Sequence, residues 1–483
     1  MALPIPNQQT IPVSLADIGK IMPLPDGYYL LEIMRADLPL PTKVIVLISM
    51  KGEIKMYVPK QKTEWGFAFD LEAHNLPAPR KLFEVGEFMN IPTISMREAF
   101  ARAREVAEQT IVFDDDRIYD LVVAWAAYTW IRGLFPKNIN LYITGFPGTG
   151  KSQVLNFLKR FARYPTDYDP GSDRSYKWHV AQTLGTLMID EGEYLTRSSV
   201  ARLRKYHEAG VIESRMMGLP MIGLTQIDLR VDAPIAVAAT HLPRDTAFLQ
   251  RGFIIRMKKR KPRIKDFNMI PGIEETTKQF AKSFMVNWFT VFLAMQQVHE
   301  KLTAMDLDER VKDLVLPIAT ILEVVERPWE WVVEYAQRSF SEANFVTPET
   351  MAFILALDRF RQSAKVVGDH YVAPLTELYI IIDEVAEELQ ANPAQLRYLL
   401  QYVFAGCSVA RCINTLCFVC DKKTVDHVVE QSLPCIDVEF DVGRGSTDAI
   451  EARSSKKGRA HIARNGRKRL EVVIGDVRVS FND

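Results

Sequence analysis

The chain has 483 residues, with 60 Lys and Arg against 60 Asp and Glu, 48% hydrophobic and 25% charged residues. Such a length predicts about three domains, each able to bury a core, and the composition excludes disordered and fibrous classes. Balanced charge confines any polyanion-binding surface to a local patch. No apolar run reaches a membrane span, and the start Met1-Ala2-Leu3-Pro4-Ile5-Pro6 has no basic region or cleavage pattern, so no membrane partner and a cytoplasmic location are expected.

Residues 1–95 carry short extended runs (43–50 and 53–58) with turn residues between them, which predicts a small β-rich domain. A connecting helix is expected over 96–110. The segment 115–135, with Ile118, Leu121, Val122, Trp125 and Trp130, reads as a strong amphipathic helix.

The next segment is the most specific in the chain. Gly145-Phe146-Pro147-Gly148-Thr149-Gly150-Lys151-Ser152 fits G-x-x-x-x-G-K-[ST] at every fixed position, directly after the apolar run Asn140-Leu141-Tyr142-Ile143-Thr144. Glycines let the backbone wrap a polyphosphate with its amides inward, and the helix that follows (Val154, Leu155, Phe157, Leu158, Phe161) turns its positive dipole end to the same anion. Gly145, Pro147, Gly148, Thr149 and Gly150 are therefore expected to cradle ATP, Lys151 to reach its β- and γ-phosphates and Ser152 to ligate Mg²⁺.

Such a loop needs an acid, and Leu184-Gly185-Thr186-Leu187-Met188-Ile189-Asp190-Glu191 reads as a buried strand ending in two. Asp190 is expected to complete the Mg²⁺ shell and Glu191 to act as general base on water. The bland account is a core strand meeting an acidic helix cap, since Glu193 follows closely. Upstream, Tyr176-Lys177-Trp178 reads as a core strand, with stacking on bases as the alternative.

Residues 196–209 read as a helix capped by Thr196 or Ser198, with an apolar stripe of Val200, Leu203 and Tyr206. Residues 211–232 read as a β-hairpin with Gly218-Leu219-Pro220 near its tip and Ile222, Leu224, Ile227, Leu229 and Val231 in alternation. A further buried strand, Pro234-Ile235-Ala236-Val237-Ala238-Ala239-Thr240, ends in a polar residue. A short polar helix (244–250), Arg251 and the strand Phe253-Ile254-Ile255-Arg256-Met257 follow.

That order resembles the AAA+ branch of ring ATPases, and more narrowly the helicase modules of superfamily 3 and the archaeal or viral primase-associated helicases. The resemblance covers about residues 111–265. It implies an α/β core with a parallel sheet, Thr240 as the first sensor of the γ-phosphate, and Arg251 as the finger that enters a neighbouring subunit's site. Arg244 is the rival for that finger, and an ordinary surface arginine is the bland account. The resemblance also implies a homo-oligomer, a hexameric ring acting on single-stranded or forked DNA, with the hairpin in the pore and Arg215, Met216 and Met217 at its tip. A hairpin that packs subunit on subunit is the bland account. A protein remodeller, or a DNA-binding initiator or transposition switch without translocation, are the alternative functions.

Beyond the core, 266–345 reads as a helical lid, with helices at 273–299 and 311–325 and no second sensor arginine placed. Within 346–433 the order of 375–389, 393–403, the strand-like 411–420 and 423–431 resembles a winged-helix module. Acidic Asp383, Glu384, Glu387 and Glu388 favour a helical packing domain instead. The five cysteines cluster at Cys407, Cys412, Cys417, Cys420 and Cys435. Cys417 and Cys420 have zinc-type spacing within an apolar run, where buried free thiols are the first expectation, zinc the second and a disulfide the last, since a reducing compartment is expected. Two basic runs stand out. Residues 256–265 supply Lys258, Lys259, Arg260 and Lys261 as candidate phosphate contacts; 453–469 lies in a basic tail, 434–483. Solvated linkers are their bland account.

Overall fold

The computed structural model describes residues 10–480 apart from 15–16, 38–40, 72–82, 146–147, 169–174, 220–222, 241, 244, 259, 261, 263, 265, 345–347, 390–392, 399, 401–406, 413–414, 424, 427–428, 430–470 and 475–476. The chain forms two compact units, Met1–Phe340 and Ser341–Asp483.

The first unit begins with strands β1 (Thr10–Val13), β2 (Ile21–Leu24), β3 (Gly27–Asp37), β4 (Pro41–Ser49), β5 (Ile54–Tyr57) and β6 (Ala68–Leu71). β2 to β5 form an antiparallel sheet in sequence order, and β1 pairs with β6 in parallel. One face of β3 and β4, with Leu30, Met34, Val44, Val46 and Ile48, joins the main hydrophobic core of the unit; the other closes on Val13, Phe67 and Phe69. A buried ion pair fixes the sheet to the rest of the unit: Arg163 Nη1 and Nη2 donate to the two Glu32 carboxylate oxygens at 2.8 and 2.7 Å.

Helices α1 (Val85–Asn90), α2 (Met96–Thr110) and α3 (Arg117–Trp130) follow. Ser95 caps α2 by accepting from the Glu98 amide. α3 is not amphipathic as the apolar spacing suggested. Every residue from Ile118 to Trp130 is buried, because α2, α4 (Lys151–Phe161), α8 (Ile273–Val286) and α10 (Glu309–Val324) surround it.

The central sheet holds β7 (Asn140–Thr144), β8 (Pro165–Asp167), β9 (Thr186–Ile189), β12 (Ile235–Ala239) and β13 (Gly252–Arg256), all parallel, in the order β13-β7-β12-β9-β8. β7, β9 and β12 are buried throughout, which is why they read as unbroken apolar runs. Between β8 and β9 lies α5 (Ser175–Thr183), a helix where the aromatic run predicted a strand. Tyr176 is buried with its hydroxyl 3.3 Å from that of Tyr206, and Lys177 is buried against Glu213 at 2.8 Å. Neither is placed to stack on a base.

Between β9 and β12 come α6 (Arg197–Leu203), capped by Thr196, and the antiparallel hairpin of β10 (Ile212–Leu219) and β11 (Gly223–Arg230). The root of the hairpin is anchored in the core by buried charges. Arg132 Nη1 donates to Asp232 Oδ2 at 2.8 Å and Arg230 Nε to Asp232 Oδ1 at 2.6 Å. Burial pulls the Asp232 pKa upward, but Arg132 and Arg230 outweigh it and hold the carboxyl below its usual range.

After α7 (Thr246–Leu249), β13 leads into α8, α9 (Trp288–Thr303), α10 and α11 (Trp331–Asn344). The expected single helix over 273–299 is broken at Asn287, and the Trp288 indole N–H donates to the carbonyls of Ile48 and Ser49 at 2.9 and 3.1 Å.

The second unit runs α12 (Pro348–Ser363), β14 (Lys365–Val367), β15 (His370–Pro374), α13 (Leu375–Leu389), α14 (Pro393–Tyr398), β16 (Cys407–Cys412) and β17 (Thr415–Asp421), with the sheet order β14-β15-β17-β16. The strand-like stretch read at 411–420 is thus two strands of a hairpin. Cys420 is buried and disulfide-bonded, which removes it from the expected free thiols; its register partner on β16 is Cys407. A final hairpin joins β18 (Glu471–Ile474) and β19 (Val477–Ser480); the basic run 453–469 lies outside the described residues.

Candidate nucleotide-binding site

The glycine-rich loop follows β7 at the carboxyl edge of the parallel sheet. Gly145, Gly148 and Gly150 have φ of 154°, 79° and 96°, conformations that cost an L side chain heavily. A Cβ on Gly145 would stand 2.5 Å from the Met257 carbonyl, so β13 closes directly over the loop. α4 then starts at Lys151, with Gly150 as its left-handed cap. Phe146 and Pro147 lie outside the described residues.

Lys151 Nζ donates to the Gly145 carbonyl at 2.6 Å. Burial lowers the Lys151 pKa, opposed by Glu193 first and Asp190 second. Ser152 Oγ lies 3.5 Å from Asp190 Oδ2, so the residue after the lysine and the acid that ends β9 meet although 38 positions separate them. A hydroxyl and a carboxylate, both hard oxygen donors, suit Mg²⁺.

The strand order explains what converges. β12 lies between β7 and β9, and its last residue, Ala239, is level with Thr144. Thr240 therefore emerges between the loop and the acids; Thr144 Oγ1 donates to its carbonyl at 3.2 Å. Glu191 is exposed, in the left-handed region at φ 55°, and its amide donates to Asp190 Oδ1 at 3.1 Å. A non-glycine residue there stores backbone strain of the kind that recurs at reactive sites.

The same turn brings in a residue that the sequence pattern passed over as part of a helix cap. Glu193 Oε2 accepts from the Thr240 amide at 3.2 Å and is the first electrostatic partner of Lys151. Gly192 makes this approach feasible, since a Cβ there would stand 2.4 Å from Val237 Cγ1. A second acid two positions beyond Glu191 was the available signal.

Other expected residues are elsewhere. Arg251 precedes β13, whose first residue pairs with Asn140 and whose last pairs with Thr144. Arg251 and the loop thus stand at opposite ends of the sheet, about 16 Å apart at 3.3 Å per residue. Arg251 Nη1 donates to the Arg204 carbonyl, and burial lowers its pKa. Beside it, burial, reinforced by the charge of Arg251, holds buried His207 down to about 4. Arg244 lies outside the described residues.

Lys258 and Arg260 face Asp114, at 3.4 and 2.6 Å, and both remain about half exposed. Lys259 and Lys261 lie outside the described residues. So do the side chains of Arg215, Met216 and Met217, whose backbone pairs with Ile227, Gln226 and Thr225. A cavity of about 540 Å³ lies farther along α4, against Asn156, Lys159, Arg160, Asp266 and Phe267, and includes no residue of the loop.

No family model and no curated protein matches the chain. Among solved structures it is similar to the A-form apo structure of the NrS-1 C-terminal region, at 11% identity over 81% of this chain and 96% of that one, with a TM-score of 0.32. It is similar to the SCCmec type IV Cch active helicase at 9% identity over 84% and 98%, TM-score 0.36. A full-length MCM homolog from Methanopyrus kandleri aligns at 11% identity over 64% and 75%, TM-score 0.30. All three are distant likenesses. Among the described residues, no helix is long and apolar enough to cross a membrane.

Proposed function

We propose that this chain is an ATPase of the AAA+ kind that works on DNA as a homo-oligomeric ring, hexameric by the resemblance noted above. The observation that carries the reading is the convergence of the loop 145–152, Asp190, Glu191 and Thr240 at one edge of a parallel sheet, with β12 interposed between the loop strand and the acid strand. Gly145, Pro147, Gly148, Thr149, Gly150 and Lys151 would hold the phosphates, and Ser152 and Asp190 the Mg²⁺. A bound Mg²⁺ would neutralise charge on the β- and γ-oxygens.

The residues divide the work. Lys151 supplies the cation that meets the transferring phosphoryl group once it leaves the Gly145 carbonyl. Glu191, exposed on a strained turn, accepts the proton of the attacking water. Thr240 senses the terminal phosphate. Arg251 stands too far from its own loop to assist it, so it serves a neighbouring subunit's site after releasing Arg204.

DNA as the substrate draws support from three features. Met257 packs on the loop and Lys258 and Arg260 follow it, so a strand held there would lie beside the nucleotide. The β10–β11 hairpin is rooted in the core by Arg132, Arg230 and Asp232, as an element that transmits force requires. In the second unit, helices α12, α13 and α14 and the four-stranded sheet β14-β15-β17-β16 support reading it as a winged-helix-like module.

The test is ATP turnover with and without single-stranded DNA. Lys151→Ala is expected to abolish nucleotide binding or hydrolysis, and Glu191→Gln to bind ATP and trap the assembled state. Near-normal turnover in Glu191→Gln removes Glu191 from the mechanism. Turnover indifferent to DNA at low salt, with no DNA bound, turns the reading toward a protein remodeller.

A further inference from the structure

We propose that Glu193 restrains the preference of this site for a triphosphate over a diphosphate, a role that rests on the ATPase reading above. A group that a terminal phosphate would engage already serves this carboxylate. The Thr240 amide donates to Glu193 Oε2 at 3.2 Å. A γ-phosphate takes this same partner and carries the same sign of charge, so it must displace the carboxylate. A diphosphate does not extend to Thr240 and leaves the contact in place.

The backbone is built for this placement. Glu191 takes the left-handed conformation, and Gly192 lies so close to Val237, Ala238 and Ala239 that the turn sits directly on β12. Those two conditions bring Glu193 against the residue that follows β12. Its side chain is exposed, so it can swing into water at small cost, as surface ion pairs do. Repulsion between Glu193 and the incoming phosphate therefore lowers triphosphate affinity selectively. It also makes departure of Glu193 a signal that a triphosphate has bound.

The experiment measures affinities of a non-hydrolysable ATP analogue and of ADP, each with Mg²⁺, for the wild-type chain, Glu193→Gln and Glu193→Ala. Both variants are expected to bind the ATP analogue about tenfold more tightly, the scale of one removed charge at this range, with ADP affinity unchanged within twofold. Glu193→Gln can still accept from the Thr240 amide, so a gain shared by both variants assigns the effect to charge. An unchanged ratio of the two affinities overturns the proposal while leaving the ATPase reading intact. So does loss of hydrolysis in Glu193→Gln with the ratio unchanged, which would move the base from Glu191 to Glu193. If the wild-type chain binds neither nucleotide, the ATPase reading fails and this proposal falls with it.

Discussion

Gly192→Ala tests whether the packing of one turn sets the geometry of the proposed catalytic acids. The added Cβ would lie 2.4 Å from Val237 Cγ1, 3.3 Å from Ala239 Cβ and 3.4 Å from the Ala238 carbonyl oxygen. Carbon atoms prefer about 3.5–4.0 Å, so the overlap with Val237 exceeds about 1 Å. Val237 cannot yield: it is fully buried on β12, paired on both sides by β7 and β9, and a β-branched side chain has little rotamer freedom. The turn must lift instead. Overpacking of this kind costs about 1–3 kcal/mol, and a shift of about 1 Å in a reacting group lowers rate about 100-fold. Glu193 would lose its 3.2 Å contact with the Thr240 amide in the same movement. Single-turnover hydrolysis, with nucleotide affinity and the urea midpoint measured in parallel, reads all three effects. Adding Val237→Ala removes the clashing atom and is expected to restore much of the rate. Wild-type hydrolysis and an unchanged midpoint in Gly192→Ala would refute the argument that this turn positions the acids.

Arg163→Met strands the buried Glu32 carboxylate and is expected to cost the first unit about 3–5 kcal/mol, whereas Arg163→Met with Glu32→Met recovers most of it; equal losses in the two would contradict the ion-pair account. His207 titrates near 4 in the folded chain against 6.5 in a free side chain, so between those values the unfolded state binds the extra proton. Stability should therefore fall, by roughly 3 kcal/mol, as pH drops from about 6.5 to about 4, and His207→Gln should flatten that slope in denaturation series. Asp114→Asn releases Lys258 and Arg260 and should steepen the log-log salt dependence of single-strand binding by about 1.5 units; Lys258→Ala with Arg260→Ala should flatten it, and no change in either points to a linker.

Local backbone demands were legible from the order of amino acids: the positive φ at Gly145, Gly148 and Gly150 is a conformation that only glycine adopts cheaply. The buried strands β7, β9 and β12 were legible too, because a strand covered on both faces must be apolar throughout. Periodicity misled where surroundings override propensity. α3 carries an apolar stripe but is enclosed on all sides, and the run at Tyr176 is a helix whose Tyr176 and Lys177 meet Tyr206 and Glu213.

What the sequence by itself determined is therefore local: a glycine-rich turn after one strand, a strand followed by acids, a strand followed by Thr240. Which of these meet was decided by strand order, together with the Glu191–Gly192 turn packed on β12. β12 inserted between β7 and β9 brings Thr240, Asp190 and Glu193 to one loop, while the direction of β13 sends Arg251 to the far end of the sheet. Backbone conformation is a property of a few neighbouring residues and leaves its mark in composition. Convergence of residues 38 to 96 positions apart depends on how the sheet closes, and no short stretch of chain encodes that.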